Sequence, residues 1–218
     1  MTETTGHTVA FLDLSRFTAL NDVHGDTIAV DVLDRFLACV DASLERGARV
    51  VKTLGDGVLI DAPTPDVGMR VAARIIERVH EEAEMPDVAG GLHHGPVVQR
   101  DGDILGATVN LASRLADAAP ASVLYTTVEP ARAASAAGMR VEPLGPTEVR
   151  GLLDRVDVFA VSPCDHEPSG VRTDPVCGMR ITPGANTARL DLGERTYWFC
   201  SSDCKDRFAA HAERHEGS

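Results

Sequence analysis

An α+β fold, with helices laid over a mostly antiparallel sheet, is the class this sequence predicts, and three observations carry it. Short β-type runs alternate with helical stripes as far as Val161. Several of those runs sit in adjacent pairs joined by tight turns, the mark of antiparallel pairing, whereas parallel strands need long crossovers. From Thr173 onward the chain changes character: Cys177, Cys200 and Cys204 accompany Tyr197, Trp198, Phe199 and Phe208, which predicts a small Cys-rich C-terminal domain with its own core.

The elements follow in order. Residues 8–12 form an apolar run that ends on Asp13, and residues 14–18 turn into a helical segment. From Asp26, the positions Ile28, Val32, Leu33, Phe36, Leu37, Val40 and Leu44 keep helical spacing, with Gly47 as the expected stop. Val50-Val51 and Val58-Leu59-Ile60 flank a hairpin that carries Lys52 on its first strand and Asp56, between Gly55 and Gly57, at its tip. Pro65 opens a second long helix with the stripe Val67, Val71, Ile75 and Val79, closed near Met85-Pro86. Residues 88–94 and 96–99 read as strands, and Asp101-Gly102 is a turn signal. Residues 106–116 read as a helix that sets Asn110 and Arg114 on one face. A strand over 122–126, a helix over 130–137 and a closing strand pair over 147–150 and 156–161 complete the first domain. Pro163, Pro168, Ser169 and Gly170 mark a linker, so the expected division is a domain of residues 1–162, a linker of 163–172 and a domain of 173–218.

A hydrophobic fraction of 44% and a charged fraction of 25% are those of a globular chain. No apolar run approaches the roughly 18 residues of a membrane span, and the N-terminus lacks a basic, then apolar, export signal. The expectation is a cytoplasmic protein with no membrane partner. The net charge of -12 lies mostly before Pro163 and offers no basic stripe for nucleic acid. A polyphosphate would need bridging divalent metal and a few placed cations.

Asp13 and Asp56 are two carboxylates at a strand end and a turn, the oxygen donors that a pair of magnesium ions takes. His93 and His94 are adjacent on a strand, point to opposite faces and read as structural. Four motifs then stand in order: Phe11-Leu12-Asp13-Leu14-Ser15-Arg16-Phe17-Thr18, Lys52-Thr53-Leu54-Gly55-Asp56, Asp103-Ile104-Leu105-Gly106 and Val109-Asn110-Leu111-Ala112-Ser113-Arg114. Together they resemble class III nucleotide cyclases over residues 7–161, with Glu148-Val149-Arg150-Gly151 similar to the closing segment.

The resemblance implies a ferredoxin-like cyclase sheet and a role for each matched residue. Asp13, Asp56 and the Leu14 carbonyl would hold two Mg2+ or Mn2+ ions per site. Lys52 and Asp103 would select adenine, the ammonium donating to N1 and the carboxylate accepting from N6; guanine would meet donor with donor. Asn110 would position the ribose and Arg114 would stabilise charge on the α-phosphate. Phe17 and Thr18 lie in the phosphate turn, and Arg150 could reach the triphosphate. The implied reaction is attack of the ribose 3'-oxygen on the α-phosphorus of ATP, giving 3',5'-cyclic AMP and pyrophosphate. Such enzymes pair head to tail, so a homodimer with two equivalent sites is expected, the metal carboxylates coming from one subunit and the base selectors, Asn and Arg from the other. Two positions depart from the pattern: Arg16 stands where the family usually has Gly, and Leu105 replaces a common aromatic.

Asp174-Pro175-Val176-Cys177-Gly178-Met179, Tyr197-Trp198-Phe199-Cys200-Ser201, Cys204 and Phe208 resemble the YHS domain, a small metal-binding module of the TRASH-like group. Three thiolates suit Zn2+ or Cu+, with His211 or His215 as a candidate fourth ligand. Cys39 and Cys164 read as ordinary residues. The leading reading is an adenylate cyclase with an attached metal-binding module. The competing ones are a cyclase-like dimerising scaffold that carries a metal-sensing module, and a nucleotide hydrolase that does not cyclise.

Overall fold

The computed structural model describes residues 6–150, 154–164 and 170–216, with the side chains of 211–216 outside that description. The first half runs β1 (Gly6–Leu14), α1 (Phe17–His24), α2 (Asp26–Ser43), β2 (Arg49–Leu54), β3 (Gly57–Ala62), α3 (Pro65–Glu81) and β4 (Val88–Pro96). It continues with β5 (Val98–Arg100), β6 (Asp103–Leu105), α4 (Ala107–Ala118), β7 (Leu124–Thr126), α5 (Val128–Ala136), β8 (Arg140–Thr147) and β9 (Val156–Ser162). The C-terminal part adds β10 (Arg172–Thr173), β11 (Arg180–Ile181), β12 (Ala188–Leu192), β13 (Arg195–Phe199) and α6 (Ser202–Glu216). Seven strands form one sheet in the order β2-β3-β1-β4-β7-β9-β8. Only the β4–β7 pair is parallel, which makes the sheet mostly antiparallel, as expected.

Strand alternation divides the core into two layers. On β1, Ala10, Leu12 and Leu14 face α1, α2, α3 and α5, whereas Val9 and Phe11 face α4 and the β5–β6 hairpin. The α3 stripe is as read: Thr64 caps the helix by accepting from the Val67 N–H at 3.3 Å, Pro65 starts it, and Val71, Ile75 and Val79 are buried. In α2 the buried face is Ala29, Val32, Phe36 and Val40, and Ile28 turns outward. That helix stops at Ser43, before Gly47, because Leu44 is already extended. Gly91 allows α4 to lie directly on β4: a Cβ there would meet the Ala116 nitrogen at 2.2 Å and the Ala112 oxygen at 2.3 Å.

The closing pair needs a correction. Its first strand is β8, Arg140–Thr147, and the expected strand over 147–150 is instead its end and a turn. Pro143, Gly145 and Pro146 look unlike a strand, but β8 is the sheet edge, where missing N–H groups cost nothing to a further neighbour, and its pairing with β9 is bulged between Pro143 and Gly145.

The C-terminal part is packed onto this framework. Cys177, Met179, Ile181, Phe199 and Cys204 belong to the same continuous core as Leu14 and Leu20. Pro86 bridges to Met179, and the Arg180 N–H donates to the Met85 carbonyl at 3.0 Å. Among the described residues no helix is long and apolar enough to cross a membrane.

Candidate functional site

Asp13 alternates with Val9 and Phe11 and so lies on the α4 side of the sheet. Its cross-strand partner is Gly57, where a Cβ would sit 2.8 Å from Asp13 Oδ1. Gly55, with a φ of 65°, makes the turn. The glycines flanking Asp56 thus differ in purpose: Gly55 bends the chain and Gly57 leaves room for the neighbouring carboxylate. Although the Asp13 side chain is exposed, desolvation at the strand end and then the charge of Asp56 push its carboxyl up to about 6. A hydrogen bond from the Leu14 backbone opposes that rise and Asp117 adds to it. Hard oxygen donors whose charges repel fit a divalent cation. The Leu14 side chain is buried in the core, so its carbonyl is the group it can offer.

Lys52 faces the same side, opposite Leu59 in the β2–β3 register. Its Nζ donates to Asp103 Oδ2 at 2.6 Å. The two-residue β5–β6 turn sets Asp103 opposite Arg100, and the Ile104 N–H donates to Asp103 Oδ1 at 2.8 Å. The Lys52 bond, reinforced by Ile104, holds the Asp103 carboxyl below the usual range. Asn110 and Arg114 stand on the exposed side of α4, with Arg114 Nη1 3.2 Å from Asp117 Oδ2. Phe17 is half-buried against the core in the first turn of α1, Thr18 beside it is exposed, and Arg150 is exposed in the turn after β8. Gly151, of the closing motif, lies outside the described residues. The chain therefore brings Lys52 to Asp103 and Asp13 to Asp56. Among the described residues, no hydrogen bond or ion pair joins Asn110, Thr18 or Arg150 to these pairs. Arg16 caps α1 with φ 62° and ψ 24°, the left-handed region that costs an L-residue about 1 kcal/mol and suits Gly. The Ser15 N–H donates to the Asp87 carbonyl at 2.8 Å and pins this turn. His93 and His94 occupy opposite faces, bonded to Thr127 and Thr8.

The cysteines form a second cluster on the other side of the sheet. Cys200 Sγ lies 3.5 Å from Cys177 Sγ, 3.6 Å from Cys204 Sγ and 3.4 Å from His24 Nε2. Asp174, fully buried, accepts from the N–H groups of Val176, Cys177 and Cys200 and so fixes two of the three cysteines. Ser201 caps α6 by accepting from the Cys204 N–H at 3.2 Å. Sharing of a hydrogen bond with Cys177, and burial, push the Cys200 thiol far up, and burial pushes Cys204 to about 12. A cavity of about 990 Å3 lies between this part and α3, and Cys200 is among its lining residues.

The model of the adenylate and guanylate cyclase catalytic domain matches residues 1–162. The chain belongs to this cyclase family. An adenylate cyclase of Streptomyces coelicolor is 37% identical over 113 residues, 51% of this chain and 30% of that one. A pH-sensitive adenylate cyclase of Mycobacterium tuberculosis is 33% identical over 163 residues, 71% of this chain and 40% of its own length. The cyclase chain thus spans well under half the length of these relatives. Among solved structures, the catalytic core of a rhodopsin-guanylyl cyclase with converted specificity, in complex with ATPalphaS, superposes with a TM-score of 0.64 at 26% identity, covering 73% of this chain and 96% of that one. An adenylate cyclase of Trypanosoma brucei, at 19% identity and a TM-score of 0.68, shares the fold over 75% of this chain and 90% of its own. A copper-transporting P-type ATPase of Rhizobium leguminosarum is 48% identical over 40 residues, 18% of this chain and 5% of its own.

One residue of this cyclase-family chain is not marked by the sequence. His24, the last residue of α1, lies within 4.8 Å of the three cysteine sulfurs through its ring nitrogen. The fourth ligand expected from the sequence, His211 or His215, has its side chain outside the described residues. Nothing in the sequence around His24 marks it, since its neighbours in space are more than 150 positions away.

Proposed function

We propose that this cyclase-family chain is an adenylate cyclase, converting ATP to 3',5'-cyclic AMP and pyrophosphate at a homodimer interface. The carrying observation is the convergence of Asp13 and Asp56 on one spot of the sheet, where desolvation and then the Asp56 charge raise the Asp13 pKa. The donor set fits Mg2+ or Mn2+, held by both carboxylates and the Leu14 carbonyl; when bound, such ions polarise the ribose 3'-hydroxyl and neutralise the triphosphate. Lys52 and Asp103 would exchange their mutual bond for one to N1 and one from N6 of adenine. Arg114 would exchange Asp117 for the α-phosphate, and Asn110, one turn earlier on the same helix face, would orient the ribose. As the 3'-oxygen gives up its proton to solvent and bonds to the α-phosphorus, the bond from that phosphorus to the bridging β-phosphate oxygen breaks and pyrophosphate leaves. The exposure of Asn110 and Arg114 supports a site completed by a second copy. Phe17, Thr18 and the strained Arg16 would shape the triphosphate turn, and Arg150 would lie at its edge.

Residues 173–218 are read in the same spirit as a YHS-type module that binds a soft or borderline metal. The cluster of three cysteines and the short likeness to a copper transporter support this.

The deciding experiment incubates the purified chain with ATP or GTP and Mg2+ or Mn2+ and separates the products by chromatography. Cyclic AMP from ATP, lost in Asp56→Ala, is the expected result. No cyclic nucleotide from the parent chain, or undiminished product from the variant, refutes the reading. ADP or AMP alone would make the chain a hydrolase.

A further inference from the structure

Three sulfur atoms meet at one point in the C-terminal part, and the fourth corner is filled by an imidazole from the cyclase domain. The 3.5 and 3.6 Å sulfur separations and the 3.4 Å approach of His24 Nε2 to Cys200 are too long for covalent bonds. A tetrahedral zinc ion, with bonds near 2.3 Å to sulfur and 2.0 Å to nitrogen, has S···S edges of about 3.8 Å and S···N edges of about 3.5 Å. The three separations lie within a few tenths of an ångström of those edges. Cys177 and Cys204 are fully buried and the other two donors half-buried, so an ion here would sit in a shielded pocket.

We propose that His24, Cys177, Cys200 and Cys204 together bind one tetrahedral divalent ion of the zinc type, and that this ion clamps the C-terminal module onto α1. The ligands come from both halves of the chain, so the site exists only while the halves are docked. The docking surface is already formed. Gly178, beside Cys177, has a φ of 77°, and a Cβ there would lie 3.0 Å from the Ser15 oxygen and 3.2 Å from Arg16 Cβ. The backbone of the cysteine loop therefore rests on the turn that follows Asp13. Arg207 of α6 donates to the Asp22 carbonyl at 3.0 Å and adds a second tie to the same helix. The proposal rests on reading the C-terminal cysteines as metal ligands and is independent of the cyclase reaction.

The test uses the full chain, kept reduced and titrated with Co2+, Zn2+ and, without oxygen, Cu+. One Co2+ per chain with the intense visible bands of a tetrahedral thiolate site is expected. His24→Ala should alter those bands and weaken Zn2+ by at least ~10-fold, the scale of disturbing even a ligand's supporting partner. His24→Cys should restore tight binding with stronger thiolate-to-cobalt absorption. Zn2+ should slow amide exchange over residues 14–24 in the parent chain and not in His24→Ala. Unchanged Co2+ bands and Zn2+ affinity in His24→Ala overturn the proposal. So does Cu+ binding that outcompetes Zn2+ and ignores His24, or Zn2+ binding without slower exchange in α1. If the parent chain and Cys177→Ser both bind no metal, the reading of the module fails as well, while the product assay is untouched.

Discussion

Replacing Gly91 by Ala attacks the contact that seats α4, and its size can be worked from the structure. The new Cβ would lie 2.2 Å from the Ala116 nitrogen, 2.3 Å from the Ala112 oxygen and 2.8 Å from the Leu115 carbonyl carbon. All three are helix backbone atoms, so no side chain can swing aside. Ordinary contact needs about 3.4 Å or more, so α4 must retreat from β4 by roughly 1 Å, loosening Ala112 and Leu115 against the sheet. Overpacking of this kind costs about 3 kcal/mol. In a chain of this size that lowers Tm by about 6–12 °C. Asn110 and Arg114 ride on the same helix, and a ~1 Å displacement of positioning groups is worth about 100-fold in turnover. Thermal unfolding followed by circular dichroism gives the first number and the cyclic-nucleotide assay the second. Gly184→Ala, where only the Thr187 oxygen lies at 4.0 Å, is the control. A Gly91→Ala protein that melts within ~2 °C of the parent would refute the close seating of α4 on β4.

Two further outcomes follow from the carboxylates and the selector pair. The Asp13 carboxyl, raised from 3.8 to about 6, binds its proton more tightly in the folded chain than in the unfolded one. Its contribution to stability is therefore present below about pH 4 and lost as pH rises through about 6 in EDTA; Asp13→Asn should flatten that part of a Tm-against-pH profile, and Mg2+ or Mn2+ should restore stability on the alkaline side. A profile identical in parent and variant would remove the charge argument for the metal pair. Lys52→Glu should reduce kcat/KM for ATP by ~100-fold or more, because the donor that would meet N1 is replaced by an acceptor. An equal loss with GTP, or no loss with ATP, would show that Lys52 does not read the base.

The periodicities made most of the cyclase sheet legible. The α3 stripe and the hairpin around Asp56 are governed by local signals, a cap, a proline, a glycine and an apolar alternation, and they lie where those signals put them. The edge strand β8 was misplaced because Pro143, Gly145 and Pro146 argue against a strand unless its outer side needs no partner, and edge position is a property of the whole sheet. Arg16 was legible as a departure, but only the backbone shows why a glycine suits the position: φ is positive there. His24 was not legible at all. Cysteine spacing points to histidines close by in sequence, whereas the packing of the two parts into one core brings an imidazole from α1 to the cysteines.

Helix α1 has eight residues, about 12 Å from end to end. Arg16 caps one end of it and His24 closes the other, with no glycine or proline between them to absorb a bend. A short helix of this kind has no internal hinge, so the surroundings of His24 and the Ser15–Arg16 turn are joined by one unbroken element. The strand that ends in Asp13 and the cysteines that surround His24 thus lie at opposite ends of one helix, and the Ser15 bond to Asp87 anchors the turn between that strand and that helix.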